Sequence, residues 1–132
     1  MSEPIISVSG LRGIVGESLT PVVAAQYVAA FAGTLRPGPI VVSRDGRESG
    51  PMLVPGVYIG LAATNHLVLY AGVAATPTLG VLVRSHNAAG GVQISASHNP
   101  PQYNGLKLFN SAGRVMPADA GQAVLEAYRG AG

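Results

Sequence analysis

Residues 95–100 read SASHNP, and a second proline, Pro101, follows at once. Ser97 offers a hydroxyl nucleophile, His98 an imidazole of the type used for proton transfer, and Asn99 an amide that can donate and accept. Pro100 and Pro101 restrict φ and push Asn99 away from helical geometry, so the loop reads as stiff as well as polar. A stiff loop that holds a hydroxyl beside a proton carrier suits group transfer at that hydroxyl. Lys107 lies a little further on and is the only lysine; every other basic side chain is an arginine or a histidine. Lysine can lose its proton when its environment favours the neutral form, and arginine effectively cannot. Lys107 therefore reads as a residue with a task that arginine could not perform.

The surrounding elements must place these groups. GGVQIS at 90–95 predicts a strand that ends on the serine loop. Asn104-Gly105 reads as a turn, and a last strand over 104–109 puts Leu106 and Leu108 on one face and Lys107 on the other. Upstream, PIISVSGLRGIVG predicts a strand to about Val8, a glycine-rich loop through Gly10–Gly13 and a short return. A helix follows from Thr20, with Thr20 as cap and Pro21 in the first helical position. A buried strand spans 39–43, and RDGRESG forms a polar turn in which Ser49 can cap the next helix. That helix extends to about Ala63, with Pro55 kinking it or delaying its start. A strand over 66–72, a helix opening at Thr76-Pro77 and a closing helix from PADAGQAVLEAYR complete the chain. This alternation predicts an α/β domain of three layers, with a mixed, mostly parallel sheet flanked by helices. Ligands of such sheets gather at the carboxyl ends of the strands, where SASHNP sits.

Composition narrows the function classes. The chain has 132 residues, one domain's worth, with 48% hydrophobic and 11% charged residues. The net charge is +2, but the basic residues are scattered from Arg12 to Arg129. No basic stripe or interleaved aromatics mark a nucleic-acid partner. No apolar run is long enough for a membrane span, and the N-terminus lacks signal-peptide order. Cysteine is absent, which excludes disulfides and thiolate metal sites and suits a cytoplasmic location. His66, His86 and His98 show no metal-ligand spacing, so His66 and His86 are assigned to structure. Arg44, Asp45 and Arg47 read as an internal salt-bridged turn rather than as substrate ligands. The glycines of GLRGIVG do not match a dinucleotide fingerprint, and SASHNP is not a hydrolase nucleophile elbow.

ISASHNPPQYNGLKLF resembles the phosphoserine loop of the α-D-phosphohexomutases, a family that includes phosphoglucomutase, phosphomannomutase and phosphoglucosamine mutase. GLRGIVG resembles that family's Arg-Gly loop, and SRDGRESG its Gly-Arg-Asp-x-Arg segment. Their order fits the family's first domain over nearly the whole chain. The resemblance implies that Ser97 carries a phosphoryl group and exchanges it with a sugar phosphate. It implies that His98 positions or relays protons, that Lys107 acts as acid/base or charge stabiliser, and that Arg12 reaches the phosphoserine. It implies Mg²⁺ on a phosphoserine oxygen, which makes Ser97 a metal contact, and a hexose 1,6-bisphosphate as activator. Phosphoryl transfer is mainly positioning plus charge stabilisation, and a phosphoserine carries about −1.5 to −2 charges, so Arg12 and Lys107 are suitable types.

The chain also departs from the family pattern. It lacks the Asp-Gly-Asp metal loop, the sugar-selecting loop and the phosphate-gripping Arg-Ser-Gly loop of the later domains. Ser43 stands where the family often has glycine, and no aspartate or tyrosine precedes the arginine in SVSGLRG. The expectation is a first domain of a longer mutase, inactive alone, whose partners are a sugar phosphate and the remaining domains. The competing expectations are a non-catalytic anion- or partner-binding module, and an excised domain whose apolar faces self-associate.

Overall fold

The computed structural model describes residues 3–130. Six strands and four helices follow one another as β1 (Ile5–Ser7), β2 (Gly10–Ile14), α1 (Pro21–Ala32), β3 (Ile40–Arg44), α2 (Gly50–Ala62), β4 (Val68–Val73), α3 (Thr76–Ser85), β5 (Gly90–Ile94), β6 (Tyr103–Phe109) and α4 (Ala118–Gly130). The strands form one sheet in the order β1-β2-β6-β5-β3-β4. Helices α1, α2 and α4 pack on one face around Phe31, Leu53 and Ile94, while α3 covers part of the other through Leu79 and Val83. The three-layer α/β architecture with a mixed sheet is as expected.

The share of parallel pairing is smaller than expected. β3 is parallel to both β4 and β5, but β1–β2, β2–β6 and β6–β5 are antiparallel. The physical reason lies between Ile94 and Tyr103. A parallel return needs a crossover of a dozen or more residues. Residues 95–102 contain no helix, so β6 must fold straight back beside β5.

Both glycine signals that read as turns lie inside strands. Gly10 is in β2 because a Cβ there would come 2.4 Å from the Leu106 carbonyl oxygen of β6. Gly105 is in β6 because a Cβ would meet the Leu11 and Ser95 carbonyl oxygens at 2.7 and 2.8 Å. These glycines serve close backbone approach, not chain reversal. Asn104 is fully buried; its Oδ1 accepts from the Gly105 N–H at 2.8 Å and its Nδ2 donates to Ser49 Oγ at 2.9 Å.

Of the first three helices only α1 opens on a side-chain cap. Thr20 Oγ1 accepts from the Val23 N–H at 3.2 Å, and Pro21 opens α1. Ser49 precedes α2 without capping it, because its hydroxyl serves Asn104 instead. Pro55 does not delay α2, which starts at Gly50 and continues through it to Ala62. α1 and α2 then approach closely at Gly56 and Gly60, where a Cβ would strike the Pro21 and Ala25 carbonyl oxygens at 2.3 and 2.4 Å. His66 is structural: Nδ1 lies 2.8 Å from the Gly38 carbonyl oxygen and Nε2 lies 3.1 Å from that of Ala32. His66 and Leu67 precede β4, and His86 follows the last residue of α3.

Tyr27 of α1 meets Tyr128 of α4 edge to face, with ring centroids 5.5 Å apart. Burial first, and then the neighbouring Tyr128 phenol, hold the Tyr27 phenol neutral well above its ordinary range. Below pH of about 10 both the folded and the unfolded chain keep this proton. Above it the unfolded chain releases the proton and the folded chain does not, so stability falls as pH rises. The thermal midpoint is expected to drop between pH 9 and 11 in the parent (about the phenol range) and to drop less in Tyr27→Phe. Scanning calorimetry over that range checks it, and equal slopes for the two proteins would contradict it.

Candidate active site

Strands β3 and β5 are parallel and end together, with Arg44 opposite Ile94. The serine loop leaves β5 at this carboxyl edge, and the 45–49 turn leaves β3 beside it. β6 brings Lys107 back alongside: Lys107 pairs with Gly10 on one side and with Gln93 on the other. Paired residues point to the same face, so Lys107, Gln93 and Arg12, two places along from Gly10, share the α3 face. Leu106 and Leu108 point into the three-helix core. α3 covers only the Val41 and Phe109 part of its face, which leaves the β2–β6 part open.

That opening is a cleft of about 310 Å³, lined among others by Ser7, Ser9, Arg12, Ser97, Asn99 and Lys107. Lys107 is half-buried, and its Nζ donates to Ser97 Oγ at 2.9 Å. Arg12 is exposed and has no ion-pair partner among the described residues. No carboxylate among the described residues lines the cleft. Two cations, several hydroxyls and no anion suit a negatively charged ligand.

Ser97 itself has φ +55°, a left-handed conformation that costs a serine roughly 1–2 kcal/mol. The loop is tied to hold it. The Ser97 N–H donates to Ser95 Oγ at 3.2 Å, and Asn99 donates to the Ala96 carbonyl through its N–H and its Nδ2. Arg47 reaches across from the neighbouring turn. Its Nη2 donates to the Ser97 and Asn99 carbonyl oxygens at 2.9 and 2.6 Å, and its Nη1 to those of Pro100 and Tyr103 at 2.8 and 3.0 Å.

The structure thus brings Ser97, Lys107 and Arg12 to one cleft. His98 follows Ser97 in sequence but is exposed, does not line the cleft, and makes no side-chain hydrogen bond among the described residues. The expected salt-bridged turn is present only between Arg47 and Asp45, with Nε 3.5 Å from Oδ2, whereas Arg44 Nε donates to the Tyr70 hydroxyl at 3.1 Å. The grip of Arg47 on the serine loop was not legible, because no local pattern pairs a turn after one strand with the loop after another. Ser43 is buried and its hydroxyl bonds the Gln93 side chain, so it braces the sheet rather than facing the cleft. Among the described residues no three histidine or carboxylate side chains gather as a metal site. Apart from Ser97 Oγ, the cleft offers a magnesium ion no carboxylate or imidazole among the described residues.

Residues 4–131 match the family described as phosphoglucomutase/phosphomannomutase, alpha/beta/alpha domain I. The chain belongs to this family. A phosphoglucosamine mutase from a Synechococcus strain is 43% identical over 123 residues, covering 92% of this chain and 27% of that protein. One from Synechococcus elongatus is 41% identical over 133 residues, covering 96% and 28%. A solved structure of a phosphoglucomutase/phosphomannomutase family protein from Burkholderia thailandensis superposes with a TM-score of 0.79 at 28% identity, over 96% of this chain and 31% of that one. The domain I chain thus spans about a quarter to a third of the length of these relatives.

Proposed function

We propose that this domain carries the phosphoserine of a sugar-phosphate mutase that interconverts hexose or hexosamine 1-phosphate and 6-phosphate through a 1,6-bisphosphate. The carrying observation is the 2.9 Å hydrogen bond from Lys107 Nζ to Ser97 Oγ in a cleft lined by Arg12 and free of carboxylates. The phosphoryl group on Ser97 passes to a sugar hydroxyl. The bond from phosphorus to Ser97 Oγ breaks and its electron pair stays on Oγ, while the sugar hydroxyl oxygen bonds phosphorus and its proton ends on Oγ, which leaves a neutral serine hydroxyl. Lys107 faces the oxygen on which charge develops, and Arg12 offers its charge to the phosphoryl oxygens. The reverse transfer from the other end of the bisphosphate regenerates the phosphoserine and releases the isomer.

The names of the curated relatives support a hexosamine phosphate as substrate. A Mg²⁺ on a phosphoserine oxygen would supply further charge stabilisation, and it needs its other ligands from outside residues 3–130. The partners are the sugar phosphate and further domains, with no role for nucleic acid or membrane. No helix among the described residues is long and apolar enough to cross a membrane. Residues 1–132 alone are proposed to be nearly inactive, since the chain spans so little of its relatives.

The test is phosphoryl uptake. The complete native polypeptide, incubated with a hexose 1,6-bisphosphate and digested, is expected to yield one phosphorylated peptide, with the group on Ser97 by mass spectrometry. Sugar-phosphate binding without any phosphoryl uptake would replace this reading with that of an anion-binding module.

A further inference from the structure

We propose that Arg47 is a positioning residue for phosphoryl transfer, holding Ser97 in its left-handed conformation against Lys107 by clamping four carbonyl oxygens of the serine loop. This inference rests on the phosphoserine reading for its catalytic part and on geometry alone for its structural part.

A guanidinium has five N–H donors in a planar fork. Here the four on Nη1 and Nη2 meet the carbonyls of Ser97, Asn99, Pro100 and Tyr103, and Nε faces Asp45. No donor is left for a substrate anion, which separates Arg47 from Arg12. Asp45 also fixes the turn that carries Arg47, because its Oδ1 accepts from the Arg47 backbone N–H at 3.0 Å and its own backbone N–H donates to the Ile94 carbonyl at 3.0 Å. The turn after β3 is thereby fastened to the end of β5. Asn104 fastens the far end of the loop to the same turn through Ser49.

The clamp explains how a serine stays at φ +55°, since strained backbone persists only where its surroundings over-determine it. A lysine at 47 could not replace it. Its three donors radiate from one nitrogen and cannot span carbonyls spread from residue 97 to residue 103. A small displacement of a reacting group costs up to about 10²-fold in rate. Loosening this loop therefore acts on kcat rather than on substrate affinity.

The test compares the complete native polypeptide with Arg47→Lys by amide hydrogen exchange and by mutase kinetics. Exchange across residues 95–103 is expected to quicken by about tenfold or more while distant helices keep their protection. kcat is expected to fall on the order of 10²-fold with KM nearly unchanged. Unchanged exchange in that segment overturns the proposal, and so does a raised KM with kcat preserved, which would make Arg47 a substrate ligand. If Arg47→Lys loosens the whole chain, Asp45→Asn, which keeps the arginine, is read by the same criteria with smaller effects. Local exchange that quickens in a protein whose parent shows no turnover would sink the mutase reading and leave the clamp supported.

Discussion

Ser97→Ala in the complete native polypeptide is expected to abolish mutase turnover, with a loss on the order of 10⁴-fold or more, as when other enzymes lose their nucleophile. The reasoning is that phosphoryl exchange has no covalent route without this oxygen, and the remaining cleft can only bind. Stability should move little, because alanine bears the same left-handed strain that serine does at φ +55°. Ser97→Gly separates chemistry from fold further. It is expected to be as inactive, yet to gain about 1 kcal/mol at this position, since glycine tolerates positive φ. Turnover assays and denaturant midpoints on the two variants check both halves. Near-parental activity in either one would remove Ser97 from the mechanism.

Much of this arrangement is legible in the sequence, and the exceptions share a cause. The stiff polar loop, the lone lysine and the α/β alternation all rest on local chemistry, and the loop and lysine meet where expected. What misleads is the local reading of glycine. Gly10 and Gly105 carry turn signals but are strand residues, because what they avoid are carbonyl oxygens on neighbouring strands, distant in sequence. The parallel bias misleads similarly: alternation fits β3, β4 and β5, but the helix-free return to β6 reverses the sheet's direction. Arg47 is the sharpest case. Its bridge to Asp45 is two residues away and readable, whereas its carbonyl partners lie fifty and more residues on. Adjacency in sequence does not by itself fix what a side chain faces. His98 neighbours Ser97, yet its ring stands in solvent outside the cleft.

Lys107 is where the charge argument can be tested most directly. It sits on β6 between Gly10 and Gln93, and its ammonium donates to Ser97 Oγ at 2.9 Å. Lys107→Met keeps the stem and the strand but removes the charge and the donor. kcat is expected to fall on the order of 10³-fold, within the range for loss of one preorganised donor at developing charge. KM should change less, because Arg12 still faces the ligand. Lys107→Arg decides between charge and geometry. The guanidinium keeps the cation but is planar and longer, so it cannot put a single nitrogen where Nζ stands without displacing the loop. An intermediate loss of about 10- to 10²-fold is therefore expected. Parental kcat in Lys107→Arg would mean that charge alone suffices there. Parental kcat in Lys107→Met would mean that the 2.9 Å contact has no part in the transfer, and stabilisation of the departing oxygen would have to come from residues beyond this domain.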